Sequence, residues 1–139
     1  MNYKIIGKYI KDLKFEIPNP KTFFLLEKNI VNYKINIDIK SYQFKDKFVE
    51  VVITLSLNST VEIVDKINTK IAFSTIVEID GELTEKKLLE EIILIKVPYE
   101  VYPEIRQLFI LLFEKSGFNK IKIEEKINFK ELFLKKSLQ

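Results

Sequence analysis

The run Tyr33-Lys34-Ile35-Asn36-Ile37-Asp38-Ile39-Lys40 alternates between apolar and polar side chains without a break. Neighbouring side chains of a strand point to opposite faces, so this run asks for a strand with one buried face and one solvated face. Three further stretches read the same way. From Tyr9 to Ile17, one face carries Tyr9, Lys11, Leu13, Phe15 and Ile17, and the other Ile10, Asp12, Lys14 and Glu16; Pro18-Asn19-Pro20 ends the run. From Phe48 to Leu57, Val49, Val51, Ile53, Leu55 and Leu57 share a face. From Lys70 to Ile79, Ile71, Phe73, Thr75, Val77 and Ile79 do so, before Asp80-Gly81 interrupts. The richness in β-branched residues supports strands. Short connections predict an antiparallel meander.

The period then changes. Thr84 is a candidate N-cap for Leu88, Leu89, Ile92, Ile93 and Ile95, which fall at mixed spacing. Pro98 and Pro103 are expected to bracket an irregular stretch. Beyond Pro103, Ile105, Leu108, Phe109, Leu112 and Phe113 recur at three- and four-residue spacing, which predicts a helix closed by Gly117. A last short helix, about 129–136, carries Phe129, Leu132 and Phe133 on one side. Strands first and helices after give an α+β class, a four-stranded antiparallel sheet followed by a long and a short helix, in a single domain over residues 1–139. Ile110 and Leu111 lie off the core stripe of the long helix, and one small sheet covers only one helix face. Self-association through Leu108, Ile110, Leu111 and Leu112 is the expected remedy.

Three absences restrict the chemistry. The chain has no His, no Cys and no Trp. The side chain that titrates near neutrality and the thiolate nucleophile are both missing, which excludes Ser-His-Asp and Cys-His catalysis, thiolate zinc sites and disulfides. Glu90-Glu91 and Glu124-Glu125 are the dense acidic pairs, but adjacent residues diverge on a helix or strand. No catalytic residue, metal or cofactor is expected. The net charge of +3 is spread along the chain, unlike the clustered footprint of a nucleic-acid binder. No apolar run approaches the roughly 20 residues that span a bilayer, and the N-terminus has no secretory pattern. These features predict a soluble, cytoplasmic protein with no direct membrane insertion.

Three stretches carry a family likeness. Tyr9-Ile10-Lys11-Asp12-Leu13-Lys14-Phe15-Glu16-Ile17-Pro18-Asn19 resembles the Y-x-K-D-[IL]-S-F-E-x-P-N opening of the SecB protein-export chaperones. Pro98 to Arg106 resembles that family's P-x-x-L-F-P-Y-A-R, and Gly117-Phe118 with Asn128-Phe129-Lys130-Glu131-Leu132-Phe133 resembles its later G-F-P and V-N-F-D-A-L-[FY]. The likeness covers roughly residues 8 to 136.

The resemblance implies a homotetramer built as a dimer of dimers. It implies a holdase that keeps unfolded client polypeptides in apolar grooves without ATP and delivers them to the SecA motor. By resemblance, the groove would take Phe24, Ile35, Ile37, Phe73, Thr75, Val77, Phe129, Leu132 and Phe133. Asp12 and Glu16 would belong to the motor-binding face, whose fourth-strand positions here hold Ser74 and Ile76 in place of an apolar residue and a Glu. The acidic C-terminal tail of familiar members is also missing. A SecB-like chaperone guarding an antitoxin is therefore an alternative to export. A nucleic-acid module using strand aromatics and a purely structural oligomer are two further readings.

Overall fold

The computed structural model describes residues 2–29, 33–59, 67–118, 121 and 123–137. Four strands, β1 (Asn2–Glu16), β2 (Tyr33–Lys45), β3 (Phe48–Ser59) and β4 (Asn68–Asp80), form one antiparallel sheet in the order β1-β4-β3-β2. The predicted meander holds for β2, β3 and β4, but β1 crosses over to pair with β4. That is a Greek-key arrangement, and it leaves β1 and β2 at the two edges.

The crossover contains a helix that the sequence reading missed, α1 (Pro20–Asn29). Its start is chemically explicit. Asn19 Oδ1 accepts the Thr22 amide at 2.9 Å and the Thr22 hydroxyl at 3.1 Å, while Pro20 occupies the first turn, where its missing N–H costs nothing. Phe23 anchors the helix by packing on Phe118, ring centroids 4.9 Å apart.

β1 contains two register shifts, between Ile5 and Gly7 and between Ile10 and Asp12. The second corrects the predicted faces. Ile10 pairs with Phe73 and Leu13 with Ile71, so the two share the face that the sequence alternation had divided between them.

The second half is more helical than predicted. α2 (Lys86–Glu91), a π-helical turn (Ile92–Lys96) and α3 (Val97–Lys115) run on without a break. Thr84 does not cap α2, which begins after Glu85 with no side-chain cap. The stretch around Pro98 and Pro103 is helix, not loop. The π turn bonds the Val97 amide to the Ile92 oxygen, and this widened turn sits immediately before Pro98, which has no amide to donate. Gly117 does close α3: at φ 92 its amide bonds Glu114 O and the Phe118 amide reaches Phe113 O, the Schellman pattern. A last helix, α4 (Phe129–Ser137), follows an irregular segment.

Val97, Val101, Ile105, Phe109 and Phe113, spaced by four, are all fully buried and form the stripe that α3 packs on the sheet. Opposite them lie Val49, Val51, Ile53 and Leu55 of β3 and Ile71, Val77 and Ile79 of β4. Phe15 completes the layer edge-to-face with Phe113 at 5.0 Å.

Candidate functional site

α3 has two flanks beside its buried stripe. Glu100 accepts the Tyr3 hydroxyl at 2.7 Å, and Glu104 accepts Lys8 Nζ at 2.6 Å, so this flank runs along β1. Leu108 and Leu111 continue the same stripe at four- and seven-residue spacing from Glu104. Ile10 (47% exposed) and Leu13 (45%) of β1 and Leu111 (46%) are left open, while Leu108, Ile110 and Leu112 are half-buried against the core. Tyr3 titrates high, at about 12, because burial and then its bond to Glu100 disfavour the phenolate.

The opposite flank carries Tyr102 and Arg106. Tyr102 donates its hydroxyl to Glu124 O at 2.5 Å, and Arg106 Nε donates to Ile123 O at 3.1 Å. These bonds hold the irregular segment before α4 against α3. Arg106, the solitary Arg of the chain, thus ties α3 to the segment ahead of α4. Burial pushes the Tyr102 hydroxyl upward in pKa.

The structure divides the expected groove residues. Phe73, Thr75 and Val77 are buried beneath α3, so they form sheet core and not an open wall. The reason is register: they share the β4 face with Ile71 and Ile79, which α3 covers. Phe129 is also buried, edge-to-face with Tyr102 at 5.9 Å. Ile35 and Ile37 on the β2 edge and Leu132 and Phe133 on α4 are half-buried, and Phe24 on α1 is 66% exposed.

Asp12 and Glu16 both lie on the outer face of the sheet, away from α3. Asp12 pairs with Lys70 at 3.4 Å, a solvated contact. The same face holds a cluster that the sequence reading did not find. Glu50 accepts hydrogen bonds from the Tyr9 hydroxyl, from Lys11 Nζ at 2.8 Å and from Ser74 Oγ at 2.7 Å. Those three donors, Lys11 first, hold its carboxyl down to about 2. The signal available was a lone Glu on the polar side of β3, and its partners sit on strands far apart in sequence.

Among the described residues, no group of His, Cys, Asp and Glu could hold a metal, and no helix is long and apolar enough to cross a membrane.

An antiparallel sheet backed by one long helix, with apolar side chains left open at its edges, defines the class. It is the fold of the SecB-like chaperone of Mycobacterium tuberculosis, solved in complex with a ChAD peptide from the HigA1 antitoxin, with a TM-score of 0.66 at 13% identity over 90% of this chain and 88% of that one. The family described as preprotein translocase subunit SecB matches residues 1–139. The putative protein-export protein SecB of Pelagibacter ubique is 40% identical over 132 residues, covering 95% of this chain and 94% of its own. The protein-export protein SecB of Rhodospirillum rubrum is 32% identical over 125 residues, 86% and 73% of the two chains. The chain belongs to the SecB family of protein-export chaperones.

Proposed function

We propose that this chain is an ATP-independent holdase that binds unfolded polypeptides on open apolar surface. The observation that supports this most directly is Phe24, which stands 66% exposed on a helix inserted between two strands. Leaving an aromatic in water forgoes roughly 25 cal/mol per Å² of burial, so an occupant has something to gain. Among the described residues no strand pairs with the outer edge of β2 beside Ile35 and Ile37, so an extended client can join it as a further strand, and Leu132 and Phe133 on α4 add half-buried apolar contact. The chemistry requires no titrating group, in keeping with a chain that has no His or Cys.

A second copy is the proposed cover for the patch of Ile10, Leu13, Leu108 and Leu111, and pairing of such dimers gives the dimer of dimers. Asp12 and Glu16 are the proposed contacts for the SecA motor. Their face carries Ser74 and Ile76 on β4, so motor binding is expected to be weak. Protection of an antitoxin is a second reading, favoured by the antitoxin peptide held by the mycobacterial fold neighbour.

The deciding experiment is suppression of aggregation. An equimolar amount of tetramer should slow light scattering by a refolding substrate without nucleotide, and Phe24→Ser should weaken that effect. Unchanged aggregation at that ratio rejects the holdase reading.

A further inference from the structure

Between the solvent side of α3 and the segment preceding α4 lies a cleft of about 370 Å³. Its accessible apolar lining is Tyr99 and Pro103, both exposed, and half-buried Ile127, set over Tyr102 and Phe129, which are buried in edge-to-face contact. Its cations are Arg106 and Lys126. Arg106 uses its Nε on Ile123 O, which fixes the plane of the guanidinium. Among the described residues its two terminal nitrogens have no hydrogen-bond or ion-pair partner. A planar guanidinium with two open nitrogens matches the two oxygens of a carboxylate.

We propose that this cleft captures the free C-terminal carboxylate of an extended apolar polypeptide, with Arg106 as the fork and Tyr99, Pro103 and Ile127 as the seat for the last side chain. The proposal rests on the polypeptide-binding reading above and names one end of the client and the residues that hold it.

The guanidinium fork and the apolar lining beside it, not net charge, favour this occupant over a bare anion. Glu100 and Glu125 also line the cleft, so its formal charges cancel and no net field gathers phosphate or sulfate. What remains is a directional donor pair beside an apolar surface, which favours a carboxylate joined to an apolar side chain. The neighbouring segment, around residues 123–128, is neither helix nor strand, leaving a course along which an extended chain can lie.

The test uses the full chain and a fluorescently labelled apolar peptide ending in phenylalanine, prepared as the free acid and as the C-terminal amide, with binding read by anisotropy. The free acid should bind about tenfold more tightly. Gln107→Glu places a third carboxylate in the cleft, on an exposed residue that has no hydrogen bond or ion pair among the described residues. It should bring the acid-to-amide ratio down toward one, at an unchanged thermal midpoint. Equal binding of acid and amide overturns the carboxylate site and leaves polypeptide binding standing. A ratio that survives Gln107→Glu overturns the placement in this cleft, and failure of both peptides to bind overturns both readings.

Discussion

Ser74 Oγ donates to Glu50 Oε2 at 2.7 Å across the outer face of the sheet, joining β4 to β3 through side chains as well as backbone. Tyr9 and Lys11 reach the same carboxylate from β1, so one acid ties three strands together. Glu50→Gln should cost about 1 to 2 kcal/mol, mostly through the Ser74 and Tyr9 contacts, since exposed Lys11 can turn to water. The pH dependence has a definite sign. The folded carboxyl sits at about 2 against an ordinary 4.5, so its stabilisation is complete above about pH 4.5 and is lost as pH falls toward 2. The difference in thermal midpoint between wild type and Glu50→Gln should shrink over that window. A constant difference would show that the carboxylate is not held.

Thr75 lies in the core with a hydroxyl that has no hydrogen-bond partner among the described residues. A methyl of the same shape removes that desolvation cost. Thr75→Val should therefore raise stability by up to about 1 kcal/mol in urea unfolding. A loss of stability would mean that the hydroxyl is satisfied in solution.

Phe113 and Leu111 test the two sides of α3 separately. Phe113 is fully buried against Phe15 and Phe109, and Phe113→Ala should cost about 3 to 5 kcal/mol. Leu111→Ser should change the fold's own stability by about 0.5 kcal/mol or less, yet lower the mass seen by light scattering if a second copy covers the Ile10, Leu13 and Leu111 patch. An unchanged mass would remove this patch from the interface.

Asn19 caps α1 through both the amide and the hydroxyl of Thr22. Asn19→Ala should cost about 1 kcal/mol and, by loosening the helix that carries Phe24, weaken client binding by several-fold. Full client affinity alongside a lowered thermal midpoint would separate Phe24 from the binding surface.

Local features of the chain foretold the elements well where one periodicity ruled. The β2 alternation, the Ile105, Phe109 and Phe113 part of the α3 stripe and Gly117 appear where their patterns placed them, because strand pleat, helix turn and a left-handed glycine are set by neighbours in sequence; Leu108 and Leu112 of the expected stripe are only half-buried. α1 was missed although Asn19-Pro20 stood in view, because Phe23-Phe24-Leu25-Leu26 carries no clear period and the helix is secured by Phe23 on Phe118, far along the chain. The stretch around Pro98 and Pro103 looked like a break because an interior proline removes a helix bond; the helix persists with a π turn ahead of Pro98.

By itself, then, the sequence determined an α+β chain of four strands and later helices, without His or Cys for imidazole or thiol chemistry, and with more apolar surface than one sheet covers. Tertiary structure alone decided which of that surface is open. Two β1 register shifts and the crossover to β4 placed Ile10 and Leu13 on the helix side of the sheet and left them open, while α3 sealed Phe73, Thr75 and Val77 away. The physical reason is that periodicity fixes the face on which a side chain lies, whereas exposure depends on which distant element covers that face.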